Sequence, residues 1–318
     1  MPHQIRTNMT SDNFVVSSLP SYVQDNKDLI IKNFALVGTA TRKRIGIQTG
    51  IKTSGYLNYL ELAPTLQDGK GCGFSASGTA TLTQRTVTTA VIKVNMDICP
   101  DSLLGKYAEY LVKLGASAEE LPFERYIIDG VTNELNKKIE KLIWQGDHTK
   151  TTDTDLKWID GFIYQFDNDA AVIDVSIANG TAIYNAIKAV YLEMTDEALE
   201  RGGVIFISPA NYRAFLQAMV EKNYFHYSGP QDSAPEEFVF PGTDVKVIKT
   251  PGLAGVNNKL VGTFAENLVY VCDLEGDLED VKLWFSDDDD LFKLKVKWNS
   301  GVGYHYPAQV TLGTIASA

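Results

Sequence analysis

Cysteine is scarce in this chain: three in 318 residues, at Cys72, Cys99 and Cys272. They are too few and too scattered for a disulfide framework and form no CxxC pair, so free thiols in a reducing compartment are the simplest reading. Histidine is no better placed. His3, His148, His226 and His305 stand far apart, without HExxH or H-x-H spacing, which argues against a histidine metal site. His305, between Tyr304 and Tyr306, reads as a packed histidine. No apolar run approaches the ~18 residues of a membrane helix. The N-terminus MPHQIRTNMTSDNF lacks the apolar core of a signal peptide. Basic charge is short as well: 29 Lys and Arg against 40 Asp and Glu give a net charge of -11. Such a surface is ill suited to gripping nucleic acid by its phosphates. These absences together predict a soluble protein, made in a cytoplasm, with no cofactor and no membrane partner.

Catalytic signatures are missing too. Gly69-Lys70-Gly71-Cys72-Gly73 lacks the span of a phosphate-binding loop and opens no helix. Gly73-Phe74-Ser75-Ala76-Ser77-Gly78 misses the nucleophile elbow, because serine takes its closing glycine position. The run Asp287–Asp290 has no spaced ligands and no closing glutamate, so it is no EF-hand; it reads as a solvated turn between Phe285 and Leu291. The chain is not expected to be an enzyme.

What is present starts with Ser117–Trp144. Ile127, Ile128, Val131, Leu135, Ile139, Leu142 and Ile143 recur at steps of three and four, one stripe of a long helix. Ser117 and Glu120 have capping-box spacing, Pro122 allows a later start, and Gly146 is the stop. Lys137, Lys138 and Lys141 are expected at the C-terminal end, where cations suit the helix dipole.

Before that helix the chain reads as extended. Residues 1–32 form a polar arm with sticky clusters at Phe14-Val15-Val16 and Leu29-Ile30-Ile31. Residues 33–95 are rich in Thr, Gly and β-branched residues, with strands expected at Ile45–Ile51 and Thr79–Val94 around a tip at Thr65–Gly73. A long hairpin with so little to bury within itself is marginal alone and needs a partner surface. A short helix is expected over Cys99–Gly115.

After the long helix the pattern turns to mixed α/β. A helix is expected over Ala182–Leu199, a buried strand at Gly203–Ser208, a helix opened by Pro209, and an irregular aromatic loop over Asn223–Gly242. Strands follow at Val245–Ile248 and Leu268–Asp273. A strictly alternating strand, Leu291–Trp298, is broken by Gly301-Val302-Gly303 before a last strand at Pro307–Leu312. The fold class is α+β.

In that order the segments resemble the major capsid proteins of tailed bacteriophages with the Hong Kong 97-type fold. The likeness rests on the arm, the hairpin over about 45–90, the helix over about 119–145, the unit GVIFISPANYRAFLQAM, the piece FVFPGTDVKVIKTPGL, and the ending DLFKLKVKWNSGVGYHYPAQVTL. It implies an N-terminal arm at 1–32, an extended hairpin with its base strands at 33–95, a peripheral domain with a spine helix at 96–171, an axial domain at 172–275, and strands returning to the peripheral domain at 276–318. It further implies a shell subunit that forms hexamers and pentamers of an icosahedral virion capsid around double-stranded DNA. The partners would be other copies of itself, a separate scaffolding protein, a portal and decoration proteins. Many relatives begin with a long scaffolding segment, for which this chain leaves no room ahead of its hairpin. Arm and hairpin would clamp neighbouring subunits, with candidate contacts at Tyr56, Tyr59, Lys70 and Phe74 on the hairpin and at Tyr224, Phe225 and Tyr227 in the axial loop. An encapsulin-like nanocompartment shell and an α/β enzyme built on 172–275 are the rival readings.

Overall fold

The computed structural model describes residues 40–67, 77–99, 123–222, 236–273, 280–286, 288–289 and 291–317. The arm, the hairpin tip at 68–76, the short helix expected over Cys99–Gly115 (beyond Cys99 itself), the Ser117–Glu120 capping pair and the loop 223–235 lie outside them. The described chain divides into two units. One holds 93–99, 123–132 and 280–298; the other holds 40–92, 133–273 and 299–317.

In the first unit, β11 (Asp280–Ser286) and β12 (Leu291–Tyr304) pair antiparallel from Asp280↔Lys297 to Ser286↔Leu291. The alternation of β12 does what its period of two requires. Phe292, Leu294, Val296 and Trp298 are buried, while Lys293, Lys295 and Lys297 stay partly exposed. The unit also holds Lys93–Ile98, the second half of β4 (Ala90–Ile98), and the first turns of α1 (Phe123–Gln145).

The long helix is therefore real but starts at Phe123, after Pro122, and runs to Gln145. Its last turn carries no basic residue. Lys137, Lys138 and Lys141 sit further back, where the dipole acts weakly. In the second unit its stripe buries Leu135, Ile139, Leu142, Ile143 and Trp144. Gly146 ends it with no space for a side chain, since a Cβ there would lie 2.3 Å from the Ile159 carbonyl oxygen.

Two sheets organise the second unit. A six-stranded mixed sheet runs β5 (Ile173–Ile177), β13 (Thr311–Ile315), β9 (Lys259–Phe264), β6 (Gly203–Ile207), β8 (Lys246–Lys249), β7 (Glu237–Val239). Of the helices after α1, α2 (Phe162–Asp167) is short, while α3 (Ile183–Glu193) and α5 (Pro209–Glu221) cover this sheet through Ile187, Val190, Phe215 and Met219. β6 is buried at all five positions, as its unbroken apolar run requires. Ser208 caps α5 by accepting from the Asn211 N–H at 3.2 Å, with Pro209 at the start of the helix.

Several expectations need correction here. The helix over 182–199 is two, α3 and α4 (Asp196–Glu200). Met194 turns to extended backbone and Thr195 then caps α4, accepting from the Ala198 N–H at 3.3 Å. A capping threonine inside an apolar pattern is the cue that periodicity overrode. β5 and β9 are strands where none is expected from the sequence, and part of the expected aromatic loop is the strand β7. The stretch Pro307–Gln309 is a 3₁₀ turn, so the last strand begins only at Thr311. That strand, expected among the returning strands, is the second strand of the α/β sheet.

The second sheet places β10 (Leu268–Val271) between β1 (Gly46–Gln48), parallel to it, and the Gly301–Tyr304 end of β12, antiparallel. Gly301 and Gly303 do not break β12. It runs unbroken through both, and their missing side chains make room for the hairpin described next. β1 is shorter than the strand expected over Ile45–Ile51, because Gly50 turns the chain at φ 86°.

Candidate assembly surface

β2 (Ser54–Ala63) and β3 (Thr79–Thr88) pair in unbroken antiparallel register, from Ser54↔Thr88 to Ala63↔Thr79. The stretch Thr79–Val94 is thus two strands, interrupted at Thr89, whose N–H donates to the Thr53 carbonyl at 2.9 Å. Residues opposite each other across a hairpin share a face. One face therefore carries Gly55, Leu57 and Tyr59 with Val87, Arg85 and Thr83. The other carries Tyr56, Asn58, Leu60 and Leu62 with Thr86, Gln84, Leu82 and Ala80.

The two faces have opposite surroundings. On the first, Leu57 is 0% exposed and Val87 is buried, clustered with Ile51, Val269 and Val271. Both sit over the glycines of β12. A Cβ on Gly303 would lie 2.5 Å from Val87 Cγ2, and one on Gly301 would lie 2.4 Å from the Thr88 carbonyl oxygen. On the second face, Leu60, Leu62 and Leu82 are 53%, 62% and 61% exposed. Leucines directly opposite and diagonal to one another make a contiguous apolar patch, which a chain in water covers when it can.

Polar contacts hold the same base. Arg85 Nη2 donates to the Tyr304 hydroxyl at 2.6 Å and pairs with Asp169 at 2.7 Å. The Tyr304 hydroxyl donates to Asp169 Oδ2 at 2.8 Å, and the Arg85 guanidinium stacks over the Tyr304 ring, 3.9 Å from its centre. Burial would raise the Asp169 pKa, but the Ala171 N–H, the Tyr304 hydroxyl and Arg85 outweigh it and hold the carboxyl below its usual value. A carboxylate depressed in this way adds stability above its unfolded pKa of about 3.9, and the contribution disappears as pH falls through the folded value.

Thr41 and Arg42 are held just as firmly. The buried Glu140 accepts from the Thr41 N–H at 3.2 Å and from the Thr41 hydroxyl, and Trp144 Nε1 donates to Thr41 Oγ1 at 2.7 Å. A carboxylate taken out of water requires such donors. Arg42 is buried with its guanidinium 5.2 Å from the Tyr270 ring centre.

Of the candidate contact residues, Tyr56 is exposed on the leucine face. Tyr59 lies on the opposite face, its ring 5.0 Å from that of Tyr306 in the same unit. Lys70, Phe74, Tyr224, Phe225 and Tyr227 fall outside the described residues. The leucines and the Arg85–Asp169–Tyr304 cluster were not singled out in the sequence. The alternation Leu60-Glu61-Leu62 was a visible cue to the former; nothing local marks three residues so far apart in the chain.

Two polar clusters complete the surface. Asp288 and Asp289 are exposed in the turn between β11 and β12, where Asp289 accepts from the Ser286 hydroxyl at 3.0 Å and pairs with Lys293. Asp287 and Asp290 are outside the described residues. Replacing Asp288 and Asp289 together by asparagine is expected to leave the melting midpoint within the scatter of ordinary surface substitutions. A marked loss on addition of chelator to the native protein, absent in the variant, would instead reveal an ion bound there. Asp147, His148 and Asp160 also converge near the end of α1, with His148 Nδ1 2.7 Å from Asp160. Their ligand atoms are engaged locally: Asp147 accepts from the Thr149 N–H and hydroxyl, and Asp160 from the His148 N–H. His305 is partly buried, which lowers its pKa. Among the described residues no helix is long and apolar enough to cross a membrane.

Neither a family model nor a curated protein matches the sequence. Solved structures do match. A chain of the satellite phage P4 procapsid including the size determination protein superposes with a TM-score of 0.60 at 12% identity, covering 93% of this chain and 91% of that one. A chain from Gordonia phage Cozz gives 0.55 at 10% identity, covering 88% and 87%. A chain of the capsid of a native GTA particle gives 0.54 at 10%, covering 90% and 91%. Likeness over nearly the whole of both chains, at so little identity, identifies the architecture: this chain has the Hong Kong 97-type fold of tailed-phage capsid proteins.

Proposed function

We propose that this protein is the structural subunit of a closed shell, assembling with copies of itself into hexamers and pentamers of an icosahedral virion capsid that encloses double-stranded DNA. The observation that carries the reading is the two-faced hairpin. Its base is built into its own unit, while its distal leucines are left in water, where an isolated subunit gains nothing from them. A second copy that covers them turns the liability into a contact. The coverage of the matched capsid chains supports the same reading, because most of this chain superposes on most of theirs.

In this proposal the arm, residues 1–32, reaches a neighbour. Tyr56, Lys70 and Phe74 contact neighbouring copies along the hairpin. Tyr59 is at most a neighbour of such contacts, given its packing on Tyr306. Tyr224, Phe225 and Tyr227, which fall between α5 and β7 in the sequence, meet their counterparts around the capsomer axis. A separate scaffolding protein, a portal and decoration proteins complete the particle, which is built in the cytoplasm of a bacterial host. The net charge of -11 suits a container that does not adsorb its own DNA.

Electron microscopy of the expressed full chain, with its scaffolding partner supplied, tests this reading. Closed particles with five-fold and six-fold capsomers are expected. A uniform small oligomer would contradict it. Particles whose contents are enzyme rather than nuclease-protected DNA would favour the nanocompartment.

A further inference from the structure

The hairpin is not uniform along its length. Every observed tie to its own unit falls in the proximal half, at Leu57, Tyr59, Arg85 and Val87; the exposed leucines begin at the next cross-strand pair, Leu60 and Leu82. Shape and charge act together at the base. The glycine seat of β12 lets Leu57 and Val87 approach closely, and Arg85 then reaches both the Tyr304 hydroxyl and Asp169. Tyr304 is itself fixed from behind, its ring 4.9 Å from Phe166, which stacks on Phe162, which meets Trp144 edge-on at 5.2 Å. All four rings lie on helices or strands and are buried, and a clasp made on them inherits their rigidity.

We propose that Arg85, Asp169 and Tyr304 form a clasp that sets the hairpin at a fixed angle to its own unit, so that bending is confined to the part beyond the Tyr59–Thr83 pair. The base behaves as the root of a lever, and the leucine-bearing half is the only part free to adjust to whatever covers it. Arg85 is a positioning residue in this arrangement. Its Nη2 reaches two groups of its own chain while the planar guanidinium lies over the Tyr304 ring, a stacking that the compact ammonium of a lysine does not reproduce. The clasp holds the base whatever meets the leucine face.

Amide hydrogen exchange on the full chain tests it. Leu60, Leu62 and Leu82 are all changed to threonine, so that the distal face stays uncovered. Amides of Leu57–Tyr59 and Thr83–Val87 are expected to exchange as slowly as those of β9, and amides of Leu60–Ala63 and Thr79–Leu82 at least tenfold faster. Arg85→Met should bring the proximal amides up to the distal rate while β6 and β9 stay protected. Asp169→Asn, which keeps an acceptor for the Ala171 N–H, should do the same and serves if the first variant does not fold. Equal exchange along the whole hairpin in the parent, or proximal protection that survives both substitutions, would overturn the proposal.

Discussion

Gly303→Val is expected to destabilise the protein by about 3 kcal/mol, at the upper end of what forced overpacking ordinarily costs. The first atom of any side chain at this position would fall 2.5 Å from Val87 Cγ2 and 3.0 Å from Leu57 Cδ1, and both of those side chains are buried. Valine adds two methyl groups beyond that. β12 cannot retreat, since Gly303 is paired with Val269 of β10. The hairpin must lift instead, giving up the burial of Leu57 and Val87 and straining the Arg85 contacts. Chemical denaturation reads the loss of stability, and exchange at Leu57–Tyr59 shows where it falls. Gly130→Val is the comparison: nothing lies within 4 Å of a Cβ there, so it should be near neutral. If Gly303→Val were equally silent, the close seating of the hairpin base would be wrong.

Changing Leu60, Leu62 and Leu82 together to threonine should leave a folded chain that no longer assembles. Threonine keeps the β-branched character strands favour, and exposed positions tolerate change within about 0.5 kcal/mol each. The effect on association is much larger. If each half-exposed leucine recovers about 1 kcal/mol when a neighbour covers it, three account for about 3 kcal/mol per contact. That is on the order of a hundredfold in the association constant, repeated at every copy. Sedimentation should show small species in place of shells, with an unchanged circular dichroism spectrum. Shells that form as before would remove the leucine face from the assembly account. An unfolded variant would mean the distal hairpin belongs to its own unit's core.

How much of this was legible beforehand follows from how local each cause is. The long helix showed in its period, because one stripe of apolar residues is a local property of Leu135–Trp144. β6 and the opening of α5 showed for the same reason. The hairpin was visible as extended chain without a core, although its first strand, Ser54–Ala63, lies beyond the one expected at Ile45–Ile51 and its second ends at Thr88 instead of running on to Val94. What the sequence concealed was set by distant partners. Gly301 and Gly303 read as breakers because nothing nearby says that Val87 and Leu57 will fill the space above them. Arg85, Asp169 and Tyr304 are unremarkable singly and meet only through the fold. Met194-Thr195 was misread because an apolar stripe seemed to continue through a threonine that in fact caps the next helix.

In the proposed shell the leucine face of the hairpin lies on another copy of the same chain. The most direct measurement places a photo-activated crosslinking residue at position 62 of the full-length protein and irradiates it under assembly conditions. A covalent dimer on a denaturing gel is predicted, with the crosslinked peptide drawn from a second copy, as mixing isotopically heavy and light chains would reveal. Crosslinks formed only within one chain, from protein shown to be assembled, would contradict it.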